Sequence, residues 1–303
     1  MLYRNLIRPF LLRLHPETVR KWTRLYMRII TSLQFTSLVR RFATKRYASG
    51  KETELFGIVF PHPVGLGSGI ERDASCVNSW QDLGFSFVEV GPLTVSPQTC
   101  QREASGRRLR TARGKDTRDI NPGVMRAIKN LGKRRPGTIV AGNLLYSRDS
   151  DPVQAAVDYK HSFALLYEFV DYIVVPANRP GHPADDVDIP YLDATVSPLL
   201  DFRIGMDVIK PVVLKLMTRV SESDLEAVVD YSLRNGVDAL SVDASQVRIA
   251  VALAGTRMPI IAHSARSAAH SAEALSQGAA LVEVGASLAL EGFSIVRKIL
   301  KRI

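Results

Sequence analysis

The chain has 303 residues, 46% of them hydrophobic, which is enough to bury a sizeable core in one or two domains. Two cysteines, Cys76 and Cys100, without a Cys-x-x-Cys motif or a Cys/His cluster, argue against a disulfide scaffold or a zinc site and fit a reducing compartment. No apolar run reaches the roughly 18 residues of a membrane-spanning helix, and we expect no secretory signal because a small-residue cleavage site is missing.

The net charge of +10 is concentrated in two segments. Residues 1–50 contribute +10, with Glu17 as their one acid, and residues 102–136 contribute +9, so the rest of the chain carries about −9. Two basic segments on an acidic body either form solvated faces or direct the protein to an acidic surface. We favour the directed surface, and we expect it to meet a membrane and not a nucleic acid.

Residues 1–48 are predicted to form an amphipathic helical arm. Apolar residues recur at helical spacing in residues 2–14 and 19–30, with arginines and lysines between them. Large apolar side chains beside a cationic face are typical of a helix that lies in a membrane interface. We therefore expect residues 1–42 to hold the protein at the cytoplasmic, inner face of a membrane. The alternatives are a helical cap packed on the rest of the chain and a docking segment for a protein partner.

Residues 49–303 contain eight alternations of an apolar run and a helical pattern. Runs that are almost continuously Val, Ile and Leu are typical of parallel strands buried on both faces. The strands are predicted near residues 62–67, 86–91, 138–143, 171–176, 211–216, 238–243, 258–263 and 280–285. The helices are predicted near residues 73–82, 121–132, 152–168, 199–208, 222–235, 245–254, 266–277 and 287–301. Eight such units in about 240 residues predict an α/β fold, the TIM (β/α)8 barrel.

Two motifs at the start of this barrel carry a resemblance to a known family. Residues 65–73 read Gly-Leu-Gly-Ser-Gly-Ile-Glu-Arg-Asp, and residues 85–94 read Phe-Ser-Phe-Val-Glu-Val-Gly-Pro-Leu-Thr. They resemble Gly-Leu-Ala-Ala-Gly-Leu-Asp-Lys-Asp and Phe-Gly-x-x-Glu-x-Gly-Thr-Val-Thr of the membrane-associated class 2 dihydroorotate dehydrogenases. The resemblance runs from end to end of the chain. It implies a TIM barrel with an N-terminal helical extension, an FMN cofactor and quinone as the electron acceptor in pyrimidine biosynthesis.

The resemblance also assigns residues to the flavin and the substrate. Asn143 and Lys215 match an asparagine and a lysine that contact the flavin ring in the family. Gly67 and Gly69 lie in the first motif, where glycines allow close backbone approach to a flat ring; Gly69 matches a family glycine and Gly67 a family alanine. Arg72 replaces a lysine that contacts the substrate, which keeps the charge but changes its shape. A lone lysine at a strand end, such as Lys215, alternatively binds any anion.

The loop after the fourth strand departs from the family at its catalytic position. Residues 176–181 read Pro-Ala-Asn-Arg-Pro-Gly, where the family has Asn-x-Ser-Ser-Pro-Asn with its second serine as the catalytic base. Arg179 occupies that position, and a guanidinium stays protonated and accepts no proton. The family's substrate-binding Asn-Arg-Met-Gly-Phe-Asn-Asn run keeps only Asn121 and the glycine after it. Asn121 and Asn178 therefore remain as candidate ligand contacts.

The segments that bind the FMN phosphate in the family differ even more in this chain. The family has a Gly-Gly pair after strand 7 and a Tyr-Ser-Gly turn after strand 8, and glycines there let backbone N–H groups reach the phosphate. This chain offers the hydroxyls of Ser264 and Ser287 instead. Asp243 and Arg257 are only fourteen residues apart, so the family's Gly-Gly-Leu-Ser-Gly loop is missing. We expect weakened binding of the FMN phosphate.

A rebuilt active site is an alternative, in which Asp243 and His263 on adjacent strands pair as orienter and base. No motif spacing predicts a metal site. The sequence favours a non-catalytic member of the resembled family, without a bound cofactor, that acts through a protein partner or a small ligand. The alternative function is an FMN-dependent oxidoreductase that acts on dihydroorotate or a related substrate and passes electrons to quinone.

Overall fold

The computed structural model describes residue 27, residues 47–98, 121–147 and 150–177, residue 179, and residues 186–303. Most of the predicted arm and the candidate ligand contact Asn178 lie outside the described residues. The predictions for them therefore stay predictions. Within the described ranges, no helix is both long enough and apolar enough to cross a bilayer.

A short antiparallel hairpin precedes a closed barrel of parallel strands. The hairpin, which the sequence did not predict, consists of β1 (Thr53–Leu55) and β2 (Ile58–Phe60). The barrel strands are β3 (Val64–Glu71), β4 (Phe87–Leu93), β5 (Ile139–Leu144), β6 (Tyr172–Pro176), β7 (Val212–Lys215), β8 (Ala239–Asp243), β9 (Ile260–His263) and β10 (Leu281–Val284). β10 pairs with β3 and closes the ring, which confirms the predicted TIM barrel.

Helices on the outside of the barrel connect its strands. They are α1 (Val77–Asp82), α2 (Val124–Leu131), α3 (Pro152–Leu166), α4 (Ile189–Ile204), α5 (Glu222–Asn235), α6 (Val247–Ala254), α7 (Ala268–Ser276), α8 (Ser287–Glu291) and α9 (Ile295–Leu300). Two predicted helices were wrong in extent. α4 starts ten residues earlier than predicted because Asp188 caps it and Pro198 is tolerated inside it, although an interior proline usually breaks a helix. The single predicted last helix is broken at Gly292, whose φ is 73°.

The N-terminal half of the barrel interior is apolar, and we call it the lower layer. Its inward side chains are Phe87, Ile139, Ala141, Tyr172, Val174, Val213, Ala239, Ile261 and Leu281, all buried. The β1–β2 hairpin closes this end, since the ring of Phe60 lies edge-on to that of Phe87 at 5.5 Å. Gly65 makes room for Phe87, because a Cβ on Gly65 would lie 2.2 Å from the ring.

The interior becomes polar toward the C-terminal ends of the strands. Successive residues of a strand point to opposite faces, so the next inward position lies two residues along. The polar interior side chains, which we call the upper layer, are Glu89, Asn143, Lys215, Ser241, His263 and Glu283, and all are buried. Active sites of TIM barrels lie at this end, so the upper layer is where a site has to be sought.

Candidate active site at the barrel mouth

Lys215, Glu89 and Glu283 form a buried ion cluster in the upper layer. The Nζ of Lys215 lies 2.8 and 2.9 Å from the two carboxylate oxygens of Glu89 and 2.5 Å from Oε2 of Glu283. These residues come from β7, β4 and β10, which are not neighbours in the barrel, so the contacts cross its interior. A lysine ammonium has three N–H donors. The three carboxylate oxygens therefore use the whole donor capacity of Lys215.

The protonation states of this cluster follow from its burial. Burial, together with the negative charge of Glu89, raises the pKa of Glu283 to about 8 although Lys215 opposes the shift. Burial alone would raise the pKa of Glu89 as well, but Lys215 and hydrogen bonds from Glu283, Lys215 and Asn143 hold it below its usual value. Burial would lower the pKa of Lys215, yet the two carboxyl groups raise it. At neutral pH one carboxylate thus balances one ammonium, and Glu283 keeps its proton.

Asn143 joins the same cluster. Its Nδ2 donates a hydrogen bond to Oε1 of Glu89, while its buried Oδ1 has no partner among the described residues. The structure therefore brings together Asn143 and Lys215, the two predicted flavin contacts, around Glu89. Glu89 belongs to the second motif, residues 85–94, and no site role was predicted for it. Its pairing with Lys215, 126 positions away, gives it a place in the site.

His263 does not form the alternative catalytic pair with Asp243. The two residues are opposite each other in the β8–β9 register, as their adjacent strands predict. However, Nε2 of His263 bonds to the carbonyl oxygen of Leu216 at 2.6 Å, and its Nδ1 bonds to the hydroxyl of Ser264 at 2.8 Å. The Asp243 carboxylate instead accepts from the N–H and hydroxyl of Ser245. Burial, with Lys215 nearby, lowers the pKa of His263 to about 4, so the ring is neutral.

Arg179, which the sequence predicts at the family's base position, is held in an ion pair with Asp188. Asp188 is the N-cap of α4, and its carboxylate also accepts from the N–H of Tyr191 at 3.0 Å. The guanidinium is thus anchored at the start of α4, and its side chain is 32% exposed. No described contact links Arg179 to the upper layer, and its chemistry offers no proton acceptor there.

The two predicted substrate contacts among the described residues have different surroundings. Asn121 uses both ends of its amide inside the chain: Oδ1 accepts from the N–H groups of Thr94 and Gly123, and Nδ2 donates to the carbonyl of Pro92. Those bonds tie the segment after β4 to the start of α2, so Asn121 is a structural clamp. Arg72 directly follows β3 and is partly buried.

The glycines of the first motif differ in the space around them. A Cβ on Gly67 would lie 3.1 Å from Cβ of Glu283, so this side chain already covers Gly67. Among the described residues, no atom lies within 4 Å of a Cβ added to Gly69, whose φ is +88°, or to Gly285 after β10. A side chain at either position therefore meets no described neighbour.

At the phosphate end, a carboxylate already uses the first N–H of α7. Oε1 of Glu291 accepts from the N–H of Ala268 at 2.6 Å, and its Oε2 lies 2.8 Å from Nζ of Lys298. Burial would raise the pKa of Glu291, but these two bonds lower it, so the group is charged at neutral pH. Ser287, a predicted substitute donor, is buried and its Oγ has no partner among the described residues. Ser264 turns its hydroxyl to His263.

These residues do not fit FMN. The flavin ring would need the ammonium of Lys215, which three carboxylate oxygens already occupy. The phosphate would need N–H groups at a helix start, and at α7 the carboxylate of Glu291 is seated on the first of them. The free oxygen of Asn143 and the hydroxyl of Ser287 remain for a ligand, but they are too few to replace those donors.

No family model matches the chain, but comparison with curated proteins finds relatives named dihydroorotate dehydrogenase (quinone). A protein of Rhodococcus opacus named dihydroorotate dehydrogenase (quinone) is 30% identical over 261 residues, which are 82% of this chain and 69% of that protein. Proteins of the same name from Christiangramia forsetii and Coxiella burnetii are 30% and 34% identical, over 60% of this chain in each case. The matches span 54% and 52% of those two relatives, about half of their length.

Solved structures give the same likeness at the level of the fold. The crystal structure of DHODH from Eimeria tenella in complex with ferulenol has a TM-score of 0.70 and 15% identity, with 89% of this chain and 90% of that chain covered. The ligand-free type from the same organism also has a TM-score of 0.70, at 16% identity, with 88% of this chain and 93% of that chain covered. At such identity the likeness concerns the barrel alone.

Proposed function

Because the chain belongs to the dihydroorotate dehydrogenase (quinone) family, we propose that it is a non-catalytic member, which binds no FMN and does not oxidise dihydroorotate. The observation that carries this proposal is the ion pair between Arg179 and Asp188 at the position of the family's catalytic base. Oxidation of dihydroorotate to orotate needs a base that takes the C5 proton. A guanidinium cannot take it, and general-base catalysis typically contributes about 10²–10⁴-fold to a rate.

The second support is the replacement of ligand contacts by contacts within the chain. Glu89 belongs to the motif shared with the family, so its bond to Lys215 is compatible with a bound flavin. The further bond from Lys215 to Glu283 removes the remaining donor. Likewise, the carboxylate of Glu291 accepts from the first N–H group of α7, where a ligand phosphate would otherwise accept. Each such bond to a charged group contributes roughly 1.5–3 kcal/mol, and losing two or three for the cofactor lowers its affinity by orders of magnitude.

The role that remains for such a barrel is binding at a membrane. Residues 1–42 combine apolar stripes with a strongly basic face, and each basic side chain near an anionic surface contributes about 1 kcal/mol. We propose that this arm brings the protein to anionic membranes, where the barrel acts through a small ligand or a protein partner. The alternative remains an FMN-dependent oxidoreductase with quinone as acceptor, which the family name supports and the altered site opposes.

An activity assay tests the non-catalytic proposal. The full-length protein, supplemented with excess FMN and a soluble quinone, is incubated with dihydroorotate at neutral pH, and the Rhodococcus opacus relative is assayed in parallel as the positive control. We expect no turnover above the protein-free blank. Arg179→Ser alone should stay inactive as well, because the cofactor contacts remain altered. FMN-dependent turnover by the unaltered chain would refute the proposal.

Vesicle sedimentation tests the arm. Full-length protein should sediment with anionic phospholipid vesicles, and a chain lacking residues 1–42 should stay in the supernatant. High salt should weaken the binding without abolishing it, because salt screens the charges but not the apolar contacts. Equal sedimentation of both proteins would reject the membrane role and leave a structural cap.

A further inference from the structure

The ion cluster of the upper layer holds two carboxyl groups and one ammonium away from bulk solvent. The side chains of Glu89, Glu283 and Lys215 are 0%, 3% and 5% exposed. Among the salt bridges of the described residues, both glutamates pair with Lys215 alone. If both were ionised, one buried carboxylate would lack a counter-charge, which is strongly unfavourable in a protein interior. One of the two carboxyl groups therefore has to keep a proton.

The hydrogen bonds of the cluster assign that proton to Glu283. Both oxygens of Glu89 accept from Nζ of Lys215, and its Oε1 also accepts from Asn143. Oε2 of Glu283 accepts from Lys215, whereas its Oε1 has the hydroxyl of Ser241 only at 3.4 Å. Bonds donated to a carboxylate stabilise its charged form, so Glu89 is the ionised group. The pKa of Glu283, which burial and the charge of Glu89 raise to about 8, agrees with this assignment.

The remaining polar side chains of the described barrel interior do not change their charge near neutral pH. They are Asn143 on β5, Tyr172 on β6, Ser241 on β8 and His263 on β9. Burial raises the pKa of Tyr172 well above its ordinary value and lowers that of His263 to about 4. The carboxylate of Asp243, at the end of β8, is turned to Ser245. Among these described groups, a proton that comes off near neutral pH therefore comes from Glu283.

We propose that Glu283, Lys215 and Glu89 form a proton-operated latch across the barrel mouth, which is closed while Glu283 keeps its proton and loosens when that proton is lost. Lys215 joins β7 to β4 and β10, which are not its neighbours in the barrel, so the cluster ties the mouth together across its interior. The protonated carboxyl group of Glu283 also donates to Glu89. After ionisation this hydrogen bond is replaced by repulsion between two carboxylates beside one ammonium.

The end of β10 is the part that moves when the latch loosens. Glu283 is the third of the four residues of this strand, so it lies close to the mouth. Directly after the strand, no described atom lies within 4 Å of a Cβ added to Gly285. The base of β10 is held separately, because Leu281 is buried in the lower layer. An ionised Glu283 therefore turns toward solvent at the mouth while the base of the strand stays packed.

The latch goes beyond the proposed function, since it concerns how the free barrel responds to pH and not which cofactor or substrate the barrel accepts. The two proposals fail separately. Turnover of dihydroorotate would refute the non-catalytic role, whereas the latch is read out by hydrogen exchange of the protein alone.

Amide hydrogen exchange of the full-length protein tests the latch. It is followed by NMR from pH 5 to pH 9, with the rates corrected for the intrinsic effect of pH on exchange. Two amides report on the mouth: that of Leu216, which donates to the carbonyl of Ser241, and that of Val284 in the β10–β3 ladder. The amide of Val282, which donates to the carbonyl of Pro63, reports on the base.

The pKa of Glu283 is about 8 in the closed latch, against 4.5 for an ordinary glutamate. The proton thus stabilises the closed form at low pH, and this contribution is lost as the pH rises to about 8. Protection of the two mouth amides should therefore fall about tenfold per pH unit between pH 5 and pH 8 and stay constant above pH 8. The amide of Val282 should exchange more slowly at every pH, because only opening of the whole barrel exposes it.

Glu283→Gln has no proton to lose, so the protection of its mouth amides should not depend on pH. Glu291→Gln is the matched control, since it makes the same change in the helix that follows β10, and it should keep the wild-type dependence. Protection that does not change with pH in the wild type, or that changes equally in Glu283→Gln, would overturn the proposal. Equal rates at Val284 and Val282 would overturn it too, because Glu283 would then act on the whole protein and not on the mouth.

Infrared spectroscopy of the wild type keeps the test valid if Glu283→Gln does not fold. A buried protonated carboxyl group has a carbonyl band separate from that of a carboxylate. We expect this band at pH 6 and its loss as the pH rises through about 8. Its absence at pH 6 would overturn the proposal as well.

Discussion

The two layers inside the barrel are built from the same strands but are stabilised in different ways. The lower layer is a stack of apolar side chains around Phe87 and Tyr172, whose rings are 6.5 Å apart. The upper layer, two residues further along, is held by the contacts of Lys215 with Glu89 and Glu283. No side chain of the lower layer changes its charge near neutral pH. In the upper layer each group depends on the protonation of the others.

The lower layer therefore maintains the fold, whereas the upper layer carries the polar groups of the candidate site. Apolar packing gives the barrel its closure, independently of any ligand. Buried charges add little net stability, because their desolvation cost offsets their attraction. Under the proposed function, the upper layer is a former ligand site in which Lys215 donates to Glu89 and Glu283 instead of to a ligand. The following variants test that contrast.

The largest expected effect comes from removing the cation of the upper layer. Lys215→Met leaves Glu89 buried without a counter-charge, and breaking a buried pair in this way costs about 3–5 kcal/mol. The loss should be greater at pH 8 than at pH 5, because the orphaned carboxyl group takes up a proton at low pH. Urea unfolding measures both values. Lys298→Met is the control, since its partly exposed pair with Glu291 is expected to contribute at most about 1 kcal/mol.

In the lower layer, Gly65→Ala should destabilise the protein by about 1–3 kcal/mol, because the added methyl group enters the space of the Phe87 ring. The loss should be the same at pH 5 and pH 8. A second change, Phe87→Leu, should restore part of the stability by removing the clash. Gly285→Ala is the matched control, because no described atom lies within 4 Å of a Cβ added there, and a large loss would contradict the difference between the layers.

Glu283→Gln should change the pH dependence of stability by about 1–2 kcal/mol between pH 6.5 and 8. The pKa of Glu283 is about 8 in the folded protein, against 4.5 for an ordinary glutamate, so the folded state holds more protons in this window. Wild-type stability therefore falls as the pH rises. His62 and His263, with pKa values lowered to about 4, act in the opposite direction, mainly below pH 6.5 and by about 0.4 kcal/mol each above it. Both histidines are present in the wild type and in the variant, so the difference between the two proteins isolates Glu283. Glutamine keeps the hydrogen bonds and should flatten the curve, and an unchanged slope would exclude Glu283 as its source.

The sequence predicted the barrel because its strands are continuous apolar runs, which no other common element reproduces eight times. The early start of α4 was not predicted from the sequence. Pro198 suggests a helix boundary, whereas the helix begins ten residues earlier, after its N-cap Asp188. The neighbouring positions of Asp243 and His263 were also predictable from adjacent strands. That Asp243 and His263 do not bond to each other was not predictable. The Asp243 carboxylate instead accepts a hydrogen bond from the hydroxyl of Ser245, two residues along the chain.

The role of Glu89 could not be read from the sequence, because its partner Lys215 is 126 positions away and only the closed barrel brings the two together. The same holds for Glu291, whose contact with Ala268 depends on how α8 lies beside α7. The prediction that Arg179 stands at the position of the family's catalytic serine, in contrast, came from the motif. Its ion pair with Asp188 was not, since it depends on the loop geometry.

The flavin content of the full-length protein tests the central claim most directly. The protein is purified gently, its absorbance is recorded in the visible flavin bands, and FMN is then titrated into it with the fluorescence of FMN as the readout. We expect no bound flavin after purification and no saturable binding at micromolar FMN, because Lys215 and the start of α7 are occupied by Glu283 and Glu291. Stoichiometric FMN in the purified protein would contradict the account.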